Sequence, residues 1–147
     1  MSREERVATV LRVRRAQEAE AAGGLARAGA AAREAERVLG ALMAHYDRHR
    51  ELDRRDDAVP ERLRDREVRM LHAQAIQRGR ARVREALATV DQQRSMLQVR
   101  SQAVRAMERL EARIREEEDA ERLRRERRDL DEVATARWSA PDEEGGR

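Results

Sequence analysis

Asp53-Arg54-Arg55-Asp56-Asp57-Ala58-Val59-Pro60 is the stretch on which the fold turns. Long helical patterns run up to it and away from it. Proline is disfavoured inside a helix, yet its fixed φ suits the first turn, and Glu61 follows directly. The stretch therefore reads as the tip of a helical hairpin. A connection this short makes the two helices antiparallel neighbours. The competing architecture, two chains pairing as a continuous dimeric rod, would need Pro60 to sit in a kink.

On the N-terminal side, Ser2 followed by Glu5 is a capping box, and Glu4 and Glu5 complement the helix dipole. A seam then runs through Val7, Leu11, Ala21, Leu25, Ala28, Ala32, Ala35, Leu39, Leu42 and Tyr46, in the steps of three, four and seven that mark a coiled-coil stripe. Arg14 and Glu18 interrupt it. Gly23 and Gly24 fall inside the helix at a cost of about 1 kcal/mol each relative to alanine. Their alanine-rich surroundings favour close helix approach over a soft point. On the C-terminal side the expected seam comprises Leu63, Met70, Ile76, Val83, Leu87, Val90, Leu97, Val104, Met107, Leu110 and Ile114. Leu123, Leu130 and Val133 follow at wider intervals.

The expectation is thus an all-α fold: an antiparallel two-helix coiled-coil hairpin with the second helix longer. It forms a single domain over residues 1–138, with helices at about 3–53 and 60–138, a turn at about 54–60, and a polar tail over 139–147. Reflection about the tip sets Ser2 beside roughly residue 111, and Ala21–Ala35 opposite roughly residues 78–92. Beyond Ile114 the second helix then has no partner from its own chain. Glu111–Arg115, Glu118–Arg122 and Glu121–Arg125 are expected to support it as i,i+4 pairs, at about 0.2–0.5 kcal/mol each.

Composition explains why a seam is all this chain can bury. Of 147 residues, 43% are charged, 1% are aromatic and none is phenylalanine. Such numbers mean disorder or long helix, and the helical periodicity selects the helix. With no cysteine there is no disulfide or thiolate zinc site. Arginine supplies all 33 cationic side chains, so lysine-based chemistry is excluded: no phosphate-loop lysine, Schiff base or lysine general base. The apolar runs fall short of the ~18 residues of a membrane span, and Met-Ser-Arg-Glu-Glu lacks the apolar region of a secretory signal. A cytoplasmic protein is expected, at most peripheral at the inner face of the cell membrane.

Candidate chemistry is sparse. His45 and His49 share one helix face, with Asp53 a turn further along and His72 on the other helix. The pattern lacks the glutamate and third ligand of helix zinc sites, so no metal, cofactor or catalytic residue is expected. The carboxylates alternate with arginines on wet faces, where a catalytic pair with shifted pKa has no pocket; the chain reads as not an enzyme. Arg78-Gly79-Arg80-Ala81-Arg82-Val83-Arg84 and the cluster Arg122, Arg124, Arg125, Arg127 and Arg128 raise nucleic acid as an alternative. Acids interleave nearly everywhere, and only Tyr46 and Trp138 could stack on bases, so the solvated coiled-coil face is preferred and no nucleic-acid partner is expected.

Met107-Glu108-Arg109-Leu110, followed after a charged stretch by Arg127-Arg128-Asp129-Leu130-Asp131-Glu132-Val133-Ala134, resembles the flagellar export protein FliJ family. The heptad near Leu11, the Leu39–Leu42–Tyr46 patch before the tip and the Ile76 repeat after it agree, over nearly the whole chain. The resemblance implies an antiparallel two-helix coiled coil similar to the stalk (gamma) subunit of rotary ATPases. It implies a component of flagellar type III protein export that inserts its free helix ends into the hexameric export ATPase and contacts the cytoplasmic domain of the membrane export gate. In some members it also recycles export chaperones. Carried onto this sequence, the ring-facing residues are Leu123, Leu130, Asp131, Glu132, Val133 and Arg137. The gate-facing ones are Leu42, Tyr46, His49, Val68, His72 and Ala75, in a patch poorer in aromatics than the family pattern. Plain seam packing is the competing reading of Leu42 and Tyr46. A general coiled-coil scaffold and the stalk of a virulence-type secretion system are the remaining alternatives.

Overall fold

The computed structural model describes residues 2–53 and 61–138, and the side chains of 2–52 and 65–138. Two helices account for all of it except Ser2: α1, Arg3–Asp53, and α2, Glu61–Trp138, which is the longer at 78 residues against 51. The described residues contain no strand. The proposed turn at 54–60, Pro60 and the tail at 139–147 lie outside the described residues, as does the side chain of Leu63.

The start of α1 is held as its sequence requires. Glu5 N–H donates to Ser2 Oγ at 3.1 Å, and Ser2 N–H donates to Glu5 Oε2 at 2.7 Å. This reciprocal capping box satisfies amides that would otherwise be left open at a helix N-terminus.

The helices pair within two compact units. One joins the residues up to Arg14 with those from Ala103 onward; the other is Arg15–Gln102. In the first, Val7 and Leu11 of α1 and Val104 and Ile114 of α2 are buried, Ile114 at 1% exposure. Two cross-helix ion pairs lie alongside: Arg3 donates to Glu117 at 3.2 Å and Arg115 to Glu4 at 3.1 Å. The Arg115 guanidinium is held above its ordinary pKa, chiefly by the hydrogen bond to Glu4 and then by the charge of Glu111.

In the second unit the buried residues among those described are Ala21, Ala28 and Ala32 of α1 and Gly79 of α2. The α1 seam keeps strict heptad spacing through Glu18, Ala21, Leu25, Ala28, Ala32, Ala35, Leu39, Leu42, Tyr46 and His49, all buried or half-buried. On α2 the matching positions are Val68, His72, Ala75, Gly79, Val83, Ala86, Val90, Gln93, Leu97 and Arg100. Two successive four-residue steps, Ala75 to Gly79 to Val83, interrupt the alternation of three and four, a phase shift that locally unwinds a heptad seam.

Three expectations are corrected. Met70 and Leu87 are exposed, at 55% and 44%, because Val68 and His72 occupy the inward positions around the first and Ala86 and Val90 those around the second. The register is displaced by more than a turn: Arg3 and Glu4 sit beside Glu117 and Arg115, while Gln17, Glu18 and Gly24 sit beside Arg100, Ser101 and Gln93. Matching of side chains across the seam sets the pairing, and reflection about the tip does not capture that. Finally, Arg122 donates to Asp119, one residue nearer than the expected Glu118, at 2.7 Å. Glu111–Arg115 and Glu121–Arg125 form as read, at 2.9 and 3.2 Å.

The interruption at Glu18 has a partner. Ser101 Oγ donates to Glu18 Oε1 at 2.5 Å, and Arg100 Nη1 donates to Gln17 Oε1 at 3.2 Å. A shift of register would leave this part-buried layer unsatisfied, so a polar cluster that adds little stability specifies the pairing. The close-approach reading of the glycines holds for Gly24, where a Cβ would lie 2.5 Å from Gln93 Oε1. For Gly23 the nearest atom belongs to Arg27 of its own helix.

Candidate protein-binding surfaces

The distal part of α2 is a continuous helix whose residues 122–138 are all exposed. Extending the inward heptad positions past Val104, Met107, Glu111 and Ile114 leads to Glu118, Glu121, Arg125, Arg128, Glu132 and Thr135. None of these is apolar. The line an opposing helix would need therefore stops at Ile114. Leu123 and Leu130, seven residues apart, fall on the outer face of the helix at 53% and 69% exposure, with Val133 beside them at 52%. All the ring-facing residues named from the resemblance (Leu123, Leu130, Asp131, Glu132, Val133 and Arg137) lie on this exposed segment.

Charge on the segment is largely internal. Glu121 faces Arg124 at 3.6 Å, Arg125 at 3.2 Å and Arg128 at 3.5 Å, while Arg122 faces Asp119. Exposed pairs of this kind contribute little each, but they keep a solvated helix from fraying. They also neutralise much of the arginine cluster that suggested nucleic acid. The earlier run, Arg78 to Arg84, is split by helical periodicity: Arg78 and Arg82 share one face and Arg80 and Arg84 another.

The second candidate surface lies within the Arg15–Gln102 unit, on the last turns of α1 and the facing part of α2. The His72 ring of α2 packs against three rings of α1, with centroid separations of 5.4 Å to His45, 5.7 Å to Tyr46 and 5.5 Å to His49. The contacts to His45 and Tyr46 are edge-on, the arrangement ring quadrupoles favour. His72 Nδ1 is buried with no hydrogen-bond partner among the described residues. The residues that the resemblance suggests as gate-facing, Leu42, Tyr46, His49, Val68, His72 and Ala75, are all half-buried seam positions. The structure thus gathers Tyr46, His49 and His72 into one layer, and it gives each of the six a packing role in the helix pair.

Sequence reading missed Gly79. It is buried, and a Cβ there would lie 3.1 Å from Leu39 Cδ1, so glycine lets α2 approach a leucine of α1. The signal was present as the only glycine of α2 within an otherwise arginine-rich run, but the run drew attention to charge.

No helix among the described residues is long and apolar enough to cross a membrane. Neither the curated proteins nor the solved structures contain a match to the chain. A family match does exist, and it spans both helices: residues 3–143 match the family described as Flagellar FliJ protein. Two packed helices with the second longer, and a match over nearly the whole sequence, place this chain in the flagellar FliJ family, as a component of flagellar type III protein export.

Proposed function

We propose that the chain is a non-enzymatic coiled-coil stalk of the export apparatus, which engages the hexameric export ATPase through distal α2 and links it to the cytoplasmic domain of the export gate. The observation that carries this reading is the exposed outer line Leu123, Leu130 and Val133 on a helix whose inward positions have become charged. An apolar line with no counterpart among the described residues supports a docking role, and the ion pairs around Glu121 keep the helix formed before a partner arrives. Asp131, Glu132 and Arg137 supply charge beside that line. The gate contact is assigned to the layer holding Leu42, Tyr46, His49, Val68, His72 and Ala75. Export chaperones are further candidate partners, and the site of action is the cytoplasmic side of the membrane.

The test is to add the purified chain to the purified export ATPase and measure turnover and sedimentation. The reading expects co-sedimentation and a rise in ring assembly or turnover. Leu123→Ser/Leu130→Ser/Val133→Ser should abolish both effects while leaving the thermal transition of the chain unchanged. Unaltered turnover and no co-sedimentation with the wild-type chain would sink the proposal.

A further inference from the structure

The arginine run at Arg78–Arg84 has no role in the ring reading, yet half of it borders a groove. Arg78 and Arg82 stand on the α2 rim of an open groove of about 460 Å³, whose floor is Ala31, Ala35, Val38, Leu42, Ala75 and Gly79. Its origin is local. Ala31 and Ala35 on α1 and Ala75 and Gly79 on α2 are too small to fill the flank of the helix pair, and the seam of α2 changes phase at Gly79. Glu34 on the opposite rim is already committed to its own helix: Arg37 holds it with hydrogen bonds of 2.8 and 2.5 Å. Arg78 and Arg82, by contrast, make no ion pair or hydrogen bond with described residues.

We propose that this groove is a docking site for an amphipathic helix of another protein, one carrying carboxylates beside its apolar stripe. The groove between two packed helices is where a third helix seats, and its small-residue floor leaves room for leucine-sized side chains of the incoming stripe. The rim then selects the charge. Two unengaged guanidiniums one helical turn apart match carboxylates spaced i,i+4 on the arriving helix, and each can bind its carboxylate through two hydrogen bonds. A basic helix would meet like charge at both points. Arg80 and Arg84, on the other face, take no part.

This inference goes beyond the ring contact and does not depend on it: it stands on peptide binding, whereas the ring reading stands on ATPase turnover. The probe is a synthetic amphipathic helical peptide with a leucine stripe flanked by glutamates, compared with its lysine-flanked counterpart, each titrated with the full chain by fluorescence anisotropy. The glutamate peptide should bind about tenfold more tightly than the lysine peptide, as expected for two ion pairs replaced by two like-charge contacts. Arg78→Glu/Arg82→Glu should reverse that preference. Ala31→Trp, at an exposed position on the groove floor, should abolish binding of the glutamate peptide without moving the thermal transition of the chain. Failure of the glutamate peptide to bind, equal affinity for both peptides, or affinities untouched by both variants would overturn the proposal. So would a dimer of the wild-type chain, seen by sedimentation and abolished by Ala31→Trp, since the occupant would then be a second copy.

Discussion

Ala103–Ile114 and Arg115–Trp138 are adjoining stretches of one helix, both rich in arginine and glutamate, and they use their few apolar residues in opposite ways. In the first, Val104 and Ile114 point inward with Val7 and Leu11 and are buried. In the second, Glu118, Glu121, Arg125, Arg128 and Glu132 take the inward heptad positions, and Leu123, Leu130 and Val133 stay in solvent. The second stretch is the more highly charged, but composition alone does not separate these two roles. Heptad phase does, and it decides which residues stabilise the chain and which are left for a partner.

The sharpest way to break this contrast is Ile114→Ala. Removing the most buried large side chain should cost about 2–5 kcal/mol and lower the thermal midpoint measured by circular dichroism. A negligible change would mean the inward phase does not carry the fold.

Next in size is Gly79. Gly79→Leu should destabilise by about 1–3 kcal/mol, because a Cβ alone already crowds Leu39. Gly40→Ala, with open space around it, should instead stabilise by about 1 kcal/mol through helix propensity. Denaturant titration of the two variants checks both signs at once.

His72→Leu should raise stability by about 1 kcal/mol, since it removes a buried nitrogen that has no described partner. A fall instead would show that the ring contacts with His45, Tyr46 and His49 outweigh the desolvation they impose.

Leu130→Ala, the distal counterpart of Ile114→Ala, should change stability by no more than about 0.5 kcal/mol in the same melting experiment. Its effect belongs to partner binding.

The smallest effect is electrostatic. The two hydrogen bonds from Arg37 hold the Glu34 carboxyl below its ordinary pKa. A carboxylate depressed in the folded state stabilises above its unfolded pKa and loses that contribution as pH falls through the folded value. Glu34→Gln should therefore lower the midpoint slightly at neutral pH and converge with wild type once the pH has fallen below the ordinary carboxylate range. A difference that grew toward acid would reverse the assigned sign.

Much of this was legible in sequence because helical periodicity is a local property. Ser2 and Glu5 announced the cap, and the spacing from Val7 to Tyr46 announced the α1 seam; the charge-rich stretch after Ile114 announced an exposed helix. The α2 seam was harder to read. Met70 and Leu87 are larger and more apolar than Gly79 and Ala86, yet the smaller residues face inward, since a close approach of two helices rewards small volume as well as hydrophobicity. The groove beside Arg78 and Arg82 was invisible for a related reason: it consists of space that small side chains leave on two helices, and no single stretch of sequence contains it. Glu18 illustrates the same limit. It reads as an interruption of one helix until Ser101 of the other is placed beside it.

The sequence by itself determined that this chain is helical, that it can bury little more than a stripe, and that the stripe thins after Ile114, because spacing along one helix decides which side chains share a face. Only the tertiary structure decided which turn of α1 meets which turn of α2. That register depends on complementarity between distant residues: Glu18 with Ser101, Gly24 with Gln93, Gly79 with Leu39, and Arg3 and Glu4 with Glu117 and Arg115.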